Sequence, residues 1–290
     1  MLQSTLFATG GLTAAALVGC ESDSTSQPAA TVTMPPPSGT FDSNGVPIHY
    51  EVFGEGYPIV LIHGFSVNFQ LNWVASGWVE ELTPIRQVVG LDARGHGESG
   101  KPHEPEAYAN DAMPNDVIGL MDHLGIERAD LFGYSMGAGI SLRLLVNNPD
   151  RFSSVVLGGV GEFARGPDGA GGVGSLIAEA LLAEDPESIE NPVARGFRTL
   201  ADALGNDNEA LAAYMRAPQE IISDEALGQV TLPVLVVNGE NDLVGPPDAI
   251  AAAIPTAELA KIPGTDHLTT VSAPAFKETV VDFLNRRSPA

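Results

Sequence analysis

The hydrophobic pattern after about residue 41 alternates between short apolar runs and stretches whose apolar residues recur at helical spacing. Continuous apolar runs of four to eight residues are typical of parallel strands that are buried on both faces. Mostly apolar runs of three or four residues, which we interpret in this way, lie at 59–62, 88–91, 129–132, 155–157 and 234–237, with a last strand at 258–262. Helical stretches lie at 117–124, 138–145, 248–253 and 274–287. The alternation predicts an α/β fold, with a mostly parallel twisted sheet and helices on both faces.

Two local signals refine the start of this fold. Asn44 and Gly45 predict a hairpin turn that leads into a second strand at 48–53. Apolar residues from Trp73 onward predict one helix on which Trp73 and Trp78 are packing residues.

Residues 161–229 interrupt the alternation. The segment is glycine-rich as far as Gly174, and its later parts at 176–183, 197–204 and 211–215 have helical patterns. We therefore predict a helical cap that folds over the carboxyl edge of the sheet.

The side chains of this cap predict the character of a pocket. They are mostly apolar, which favours a short or medium acyl chain, with Arg195 and Arg198 as candidate charged contacts. The apolar residues are Leu176, Ile177, Leu181, Leu182, Phe197, Leu200 and Met215.

The N-terminal segment resembles an export signal. Residues 6–18 are small and apolar, too few to span a bilayer but typical of a secretory signal. They run into Leu-Val-Gly-Cys at 17–20, which resembles the lipobox of bacterial lipoproteins and implies cleavage before Cys20 and acylation of its thiol. No lysine or arginine precedes Arg86, so this hypothesis requires an upstream start codon that supplies the positive residues. The alternative is a cytoplasmic protein with a disordered extension and an incidental cysteine.

These patterns divide the chain into three parts, a signal segment at 1–20, a linker at 21–40 and a folded domain at 41–290. The linker is rich in Ser, Thr and Pro and has no apolar period, which predicts an extended tether. With an acylated Cys20, the protein would be exported and anchored by its lipid to a membrane of the bacterial cell envelope.

The net charge of the chain argues against certain classes of binding partner. The chain has 37 acidic and 14 basic residues and a net charge of -23. A strongly negative surface repels nucleic acid and anionic membranes, so we expect a small-molecule substrate and no membrane contact except through a lipid at Cys20. The single cysteine excludes an internal disulfide, and no Cys/His group has zinc-ligand spacing.

The strongest chemical signal is Gly-Tyr-Ser-Met-Gly at 133–137, between a predicted strand and a predicted helix. A strand-to-helix turn this tight leaves no room for large side chains, so glycines flank it and the serine hydroxyl is pushed out at the carboxyl edge of the sheet. The motif therefore predicts a nucleophile elbow with Ser135 as the nucleophile. The N–H groups at the start of the helix favour the negative charge that acyl transfer creates.

A serine nucleophile needs a base, and the base needs a group that holds its tautomer. His267 follows the last predicted strand, at the same edge of the sheet as Ser135, so we predict that it is the general base. Asp242 follows the strand at 234–237 and is the predicted orienting acid. Other acids compete for that role. They are Glu240, Asp248, Asp266 and Glu162.

Two backbone N–H groups are predicted to stabilise the oxyanion. One belongs to Met136, next to the nucleophile, and the other to Phe65, after the strand at 59–62. We expect His63, which precedes this turn, to be structural.

The loop at 92–99 contains Asp92, Arg94 and His96, which could mimic an active site in sequence. We predict instead a turn held by aspartate side-chain caps and an ion pair internal to the loop.

The region from about 41 to 287 resembles the α/β-hydrolase superfamily. The matching pieces are His-Gly-Phe at 63–65, the loop at 92–99, the motif at 133–137, and then Asp242 and His267, in the family's order of nucleophile, acid and histidine. The resemblance implies the α/β-hydrolase fold with a cap and a Ser-His-Asp triad. It is closest to the branch of small carboxylesterases, lactonases and cofactor-free perhydrolases. Haloalkane dehalogenases and epoxide hydrolases differ because they have aspartate at the nucleophile position.

Three functions remain open from the sequence. The leading hypothesis is a serine hydrolase that cleaves carboxylic esters through an acyl-Ser135 intermediate and requires neither a metal nor an organic cofactor. A second keeps the same three side chains for lactone opening, perhydrolysis or carbon–carbon cleavage. A third is a lipid-tethered binding protein on a hydrolase scaffold that does not turn over.

Overall fold

The computed structural model describes residues 37–165 and 172–287. The predicted signal segment, Cys20 and almost all of the predicted linker lie outside these residues.

The described chain contains one eight-stranded sheet in the order β1-β2-β4-β3-β5-β6-β7-β8. The strands are β1 Ser38–Ser43, β2 Val46–Phe53, β3 Pro58–Ile62, β4 Gln87–Leu91, β5 Ala129–Tyr134, β6 Phe152–Gly158, β7 Val234–Gly239 and β8 Ala257–Ile262. β1 and β2 form an antiparallel hairpin, β2 pairs antiparallel with β4, and all the other pairs are parallel. The predicted α/β class and mostly parallel sheet are confirmed.

The N-terminal hairpin begins earlier than expected. β1 starts at Ser38, inside the range 21–40 that we assigned to the linker, because Ser38 still pairs with Glu51 of β2. The turn forms at Asn44 and Gly45, which both have positive φ, as a two-residue hairpin turn of this kind requires.

Helices cover both faces of the sheet. They are α1 Trp78–Leu82, α2 Ala112–His123, α3 Met136–Asn147, α4 Val173–Leu181, α5 Pro192–Ala203, α6 Asn208–Arg216, α7 Asp224–Leu227, α8 Asp248–Ala253 and α9 Pro274–Asn285. Buried residues of α2, α3 and α8 share one apolar core, and those of α1 and α9 share the other. Among the described helices, none combines the length and hydrophobicity that a membrane crossing requires.

The prediction of one helix through both tryptophans is wrong. Trp73 lies in a π-helical turn at Gln70–Val74, and Trp78 begins α1. Gly77 separates the two with a φ of 79°, a conformation that ends a right-handed helix. Both indoles are fully buried and pack edge-on against Phe132, so their predicted role in packing is confirmed.

The segment between β6 and β7 contains α4 to α7. Three of these helices begin with a side-chain cap, because Asn191, Asp207 and Ser223 each accept a hydrogen bond from the backbone N–H three residues later. α5 therefore starts at Pro192, five residues before the start that apolar spacing predicted. α4 and α5 also pack on each other, and α6 packs on α4.

Candidate active site

The turn between β5 and α3 places Ser135 at the carboxyl edge of the sheet. Ser135 has φ 55° and ψ -113°, a conformation that costs a non-glycine residue about 1–3 kcal/mol. Its N–H donates to the carbonyl of Gly158 at 2.8 Å, which ties the turn to β6. This strained turn holds the hydroxyl above the sheet.

The two glycines of the motif are required by close approach. A Cβ on Gly133 would lie 2.1 Å from the carbonyl oxygen of Gly137, and a Cβ on Gly137 would lie 2.0 Å from that of Ile62. Any side chain at either position would push α3 away from the sheet.

Ser135, His267 and Asp242 form a continuous hydrogen-bonded chain. His267 Nε2 lies 2.9 Å from Ser135 Oγ, and His267 Nδ1 lies 2.9 and 3.0 Å from the two carboxylate oxygens of Asp242. Because a carboxylate only accepts, Nδ1 carries the imidazole proton and Nε2 presents its lone pair to the serine hydroxyl. The structure thus brings together the three side chains that the sequence predicted, and we call them the triad.

Hydrogen bonds from neighbouring groups fix the positions of Asp242 and His267. The Asp242 side chain is 2% exposed, and one of its oxygens also accepts from the N–H of Val244 at 3.0 Å. The Tyr134 hydroxyl donates to the carbonyl of His267 at 2.6 Å. Burial, with the charge of Asp242 adding to it, raises the pKa of Tyr134, so the hydroxyl stays protonated as a donor.

The other candidate acids form hydrogen bonds or ion pairs with groups other than His267. Glu240 accepts from the N–H of Gly264, Asp248 pairs with Lys261, Asp266 accepts from the N–H groups of residues 268 and 269, and Glu162 pairs with Arg165. Among these acids and Asp242, Asp242 is the one that contacts the imidazole.

The predicted oxyanion donors lie in the turns that follow β3 and β5. Within the described residues, the N–H groups of Phe65 and Met136 have no protein acceptor. The Phe65 turn is braced by Asn72, whose side-chain oxygen accepts from the N–H of Gly64 at 2.9 Å. The Phe65 ring stacks on Tyr214 of α6, so a helix of the segment between β6 and β7 packs directly on this turn.

We call Asp92, Arg94, His96 and Asp116 the buried loop cluster. Asp92 accepts from the backbone N–H groups of residues 69 and 98, which is the capping role that we predicted. The ion pair, however, is not internal to the loop. Arg94 pairs with Asp116 of α2 through two bonds of 2.7 and 2.6 Å, because its long side chain reaches across to the neighbouring helix.

The two histidines of this region are structural. His63 Nε2 accepts from the N–H of Ala93 at 2.9 Å, and its Nδ1 donates to the carbonyl of Gly64 at 2.7 Å. Burial lowers the pKa of His63, and burial together with the neighbouring His63 lowers the pKa of His96 to about 3. Both rings are therefore neutral at pH 7 and anchor loops.

A cavity of about 130 Å³ opens at the serine, and its lining differs from our expectation. Of the seven apolar residues that we named for the pocket, Met215 alone lines it. Leu176 and Leu182 point outward, and Arg195 and Arg198 bond instead to carbonyl groups of their own segment.

Arg143 lines this cavity, and sequence reasoning missed it. It lies eight residues after the nucleophile on α3, in a helix whose other residues are uncharged. That isolated charge is the signal that could have identified it.

No group of three or more His, Cys, Asp and Glu side chains in the described part of the chain has an arrangement that could hold a metal ion.

Comparisons with known proteins agree with the fold. The sequence pattern of the alpha/beta hydrolase fold matches residues 57–168. A 2-hydroxymuconate semialdehyde hydrolase from Pseudomonas sp. (strain CF600) is 29% identical over 252 residues, covering 80% of this chain and 88% of that protein. The structure of an enol-lactonase from Burkholderia xenovorans LB400 is 27% identical, with a TM-score of 0.66 over 85% of this chain and all of its own. A thermophilic esterase from Thermogutta terrifontis is 25% identical, with a TM-score of 0.67 over 86% of this chain and 97% of its own.

Proposed function

The chain belongs to the α/β-hydrolase superfamily, and from that premise we propose that it is a serine hydrolase that cleaves carboxylic esters through an acyl-Ser135 intermediate. The observation that carries the proposal is the hydrogen-bonded chain from Ser135 Oγ through His267 to Asp242. It has the geometry that activates a hydroxyl, with nucleophile and base 2.9 Å apart and the base oriented by a buried acid.

The proposed reaction has two halves. In the first, Ser135 Oγ attacks the ester carbonyl carbon while His267 Nε2 takes the hydroxyl proton, and the imidazolium then gives that proton to the departing alkoxide. In the second, water attacks the acyl carbon, His267 takes the water proton, and the proton returns to Ser135 as the carboxylic acid leaves. Asp242 stays ionised throughout and stabilises the imidazolium.

The N–H groups of Phe65 and Met136 are the proposed donors to the oxyanion in both halves. Both are unoccupied by protein acceptors in the described residues, and the N-terminus of α3 adds a favourable field. The loss of one such donor typically costs about 3 kcal/mol of transition-state stabilisation.

A fluorophosphonate probe tests this proposal, because it reacts with a serine that a neighbouring base activates. The wild type should be labelled, and Ser135→Ala should lose both the label and ester turnover. Ser188→Ala, at an exposed serine in the segment between β6 and β7, is the control and should be labelled like the wild type. A folded wild type that resists the probe would refute the proposal.

In a second candidate function, the same triad cleaves a bond other than that of a simple carboxylic ester. The similarity to a 2-hydroxymuconate semialdehyde hydrolase and to an enol-lactonase favours carbon–carbon cleavage or lactone opening as this alternative. Comparing kcat/KM across p-nitrophenyl esters, lactones and diketones separates the three reactions. Ester hydrolysis is the right description only if esters give the highest values.

We also propose export and lipid attachment at Cys20, on the sequence alone. Cells fed labelled palmitate should yield a labelled wild-type protein and an unlabelled Cys20→Ala variant. An unlabelled wild type in the cytosol would refute the anchor and leave the enzymatic proposal untouched.

A further inference from the structure

Three arginines are buried in the described part of the chain, and their partners differ. Arg86 and Arg94 are 4% and 5% exposed, and each forms an ion pair with a buried aspartate, Asp130 or Asp116. Arg143 is 9% exposed and forms no ion pair within the described residues. Burying a charge without an ion-pair partner costs free energy, so the absence of such a partner at Arg143 calls for an explanation.

Most of the hydrogen-bonding capacity of Arg143 is unused. Its Nη2 donates to the backbone carbonyl of Glu220, and no other hydrogen bond of this side chain occurs within residues 37–165 and 172–287. A guanidinium has five N–H donors and stays protonated even where burial lowers its pKa, as it does here. Arg143 therefore presents a charged fork with free donors.

Arg143 lines the same cavity as the nucleophile Ser135. The cavity contacts Met136, Gly139, Ile140 and Arg143. Gly139 and Ile140 each lie three or four residues from both Met136 and Arg143, so the four residues form one face of α3. Eight residues of helix separate Ser135 from Arg143, about 12 Å along the axis at 1.5 Å per residue. Helical side chains lean toward the N-terminus, so the guanidinium lies nearer to the serine than that.

Apolar side chains line much of the same cavity, and two of its polar side chains, Asn110 and Gln219, already form hydrogen bonds. Met113 and Met215 line the same cavity. The Asn110 side-chain oxygen accepts from the N–H of Glu220, and the Gln219 amide donates to the carbonyl of Tyr108. Among the cavity-lining side chains, Arg143 is the cationic one, and it stands at the end remote from Ser135.

We propose that Arg143 determines specificity by binding a carboxylate of the substrate, separated from the scissile carbonyl by an apolar spacer of a few carbon atoms. A carboxylate matches the planar fork of the guanidinium. The charges of Asp111 and Glu220 attract Arg143, but neither carboxylate forms an ion pair with it within the described residues, so a substrate carboxylate would be its direct partner. This inference rests on the proposed ester hydrolysis at Ser135, whose site it extends. The net charge of -23 disfavours anionic ligands at long range, but salt screens that repulsion beyond about 8 Å, so inside the cavity the adjacent Arg143 outweighs it for a single carboxylate.

Pairs of matched esters test the proposal and locate the carboxylate. Monoethyl adipate and ethyl hexanoate differ by a carboxylate or a methyl group at the end of the acyl chain. The acetate ester of 5-hydroxypentanoate and pentyl acetate differ in the same way at the end of the alcohol. The wild type should prefer the anionic member of one pair in kcat/KM, and that pair shows which side of the ester faces Arg143.

Arg143→Gln should lower that preference by about 10- to 100-fold, the effect expected when a hydrogen bond to a charged group is lost. The change should appear as a higher KM for the anionic ester, while the neutral twin changes far less. Arg216→Gln is the matched control, since it removes the same charge from an exposed position at the end of α6 and should leave the preference intact.

Each remaining outcome has a definite meaning. Equal loss of activity on both members of a pair in Arg143→Gln would overturn the proposal and assign Arg143 the structural role of holding Glu220. A wild type without preference for either anionic ester would also overturn it. Failure of the proposed function itself looks different, because no ester of either charge would then turn over and the fluorophosphonate would not label Ser135.

Discussion

The triad and the buried loop cluster both contain histidine and aspartate, and they differ in what the histidine nitrogens contact. In the triad, the His267 side chain is 17% exposed and its Nε2 points at a hydroxyl. In the buried loop cluster, His96 is fully buried and its Nδ1 bonds to the carbonyl of Arg94, while the carboxylates cap N–H groups or pair with arginine. The presence of histidine and aspartate in one loop therefore does not indicate catalysis. What indicates catalysis is an imidazole nitrogen whose lone pair faces a nucleophilic hydroxyl at the edge of a cavity.

The largest expected effect is on catalysis and belongs to the triad. His267→Gln removes the base and should lower kcat for ester hydrolysis on the order of 10⁶-fold, because the residues of a triad act as a unit. The melting temperature should change little, since His267 is partly exposed. Steady-state kinetics and a circular dichroism melt check the two parts. Residual activity within tenfold of the wild type would remove His267 from the mechanism.

The next effect is on stability and belongs to the buried loop cluster. Asp116→Ala leaves Arg94 buried without its partner and should lower the free energy of unfolding by about 3–5 kcal/mol. Urea denaturation measures the loss, and the variant that remains folded should keep a kcat/KM within a few-fold of the wild type. The double variant Arg94→Met/Asp116→Leu should recover part of the stability. A variant as stable as the wild type would contradict the account of this ion pair.

A smaller effect depends on pH through His96. Its pKa is about 3 in the folded protein and about 6.5 in an unfolded chain, so below about pH 6.5 the unfolded state binds a proton that the folded state does not. The free energy of unfolding should therefore fall as the pH falls from about 6.5 toward 3, with His96 contributing about 2 kcal/mol of the loss at pH 5. His96→Gln should show a shallower dependence in urea melts at pH 7 and 5. Parallel curves would contradict the assignment.

The smallest effect is expected at a surface ion pair. Asp248 and Lys261 lie 2.9 Å apart, with about half of each side chain exposed. Solvent-exposed pairs contribute about 0–1 kcal/mol, so Asp248→Asn should change neither the unfolding midpoint nor kcat/KM measurably. A large loss of activity would mean that Asp248 competes with Asp242 for the imidazole after all.

The framework of the sheet was predictable because its signals are local. Each central strand is a short run of mostly apolar residues. The motif at 133–137 predicts a tight turn, since only glycine fits the close approaches at Gly133 and Gly137. Asp242 and His267 could be placed because each directly follows a strand, and parallel strands end at a common edge. The structure brings both to Ser135.

The cap and the pocket were less predictable because their chemistry depends on packing between distant segments. The spacing of apolar residues predicted the helices of this region but did not show which face of each helix is buried. We therefore expected Leu176 in the pocket, and it is exposed. The partner of Arg94 was placed in its own loop, although Asp116 is 22 residues away. The isolated charge in α3 marks Arg143 as unusual, but the sequence does not show whether an aspartate or a cavity will face it.

The central claim is that Ser135 carries the acyl group during turnover. Mass spectrometry after acid quenching in the first turnovers of a p-nitrophenyl ester tests it most directly, because the peptide that contains residue 135 gains the mass of the acyl group. The account predicts that this adduct forms on Ser135 in the wild type, builds up as p-nitrophenol is released, and is absent in Ser135→Ala. An acyl group on another side chain, or ester turnover by Ser135→Ala at the wild-type rate, would contradict it.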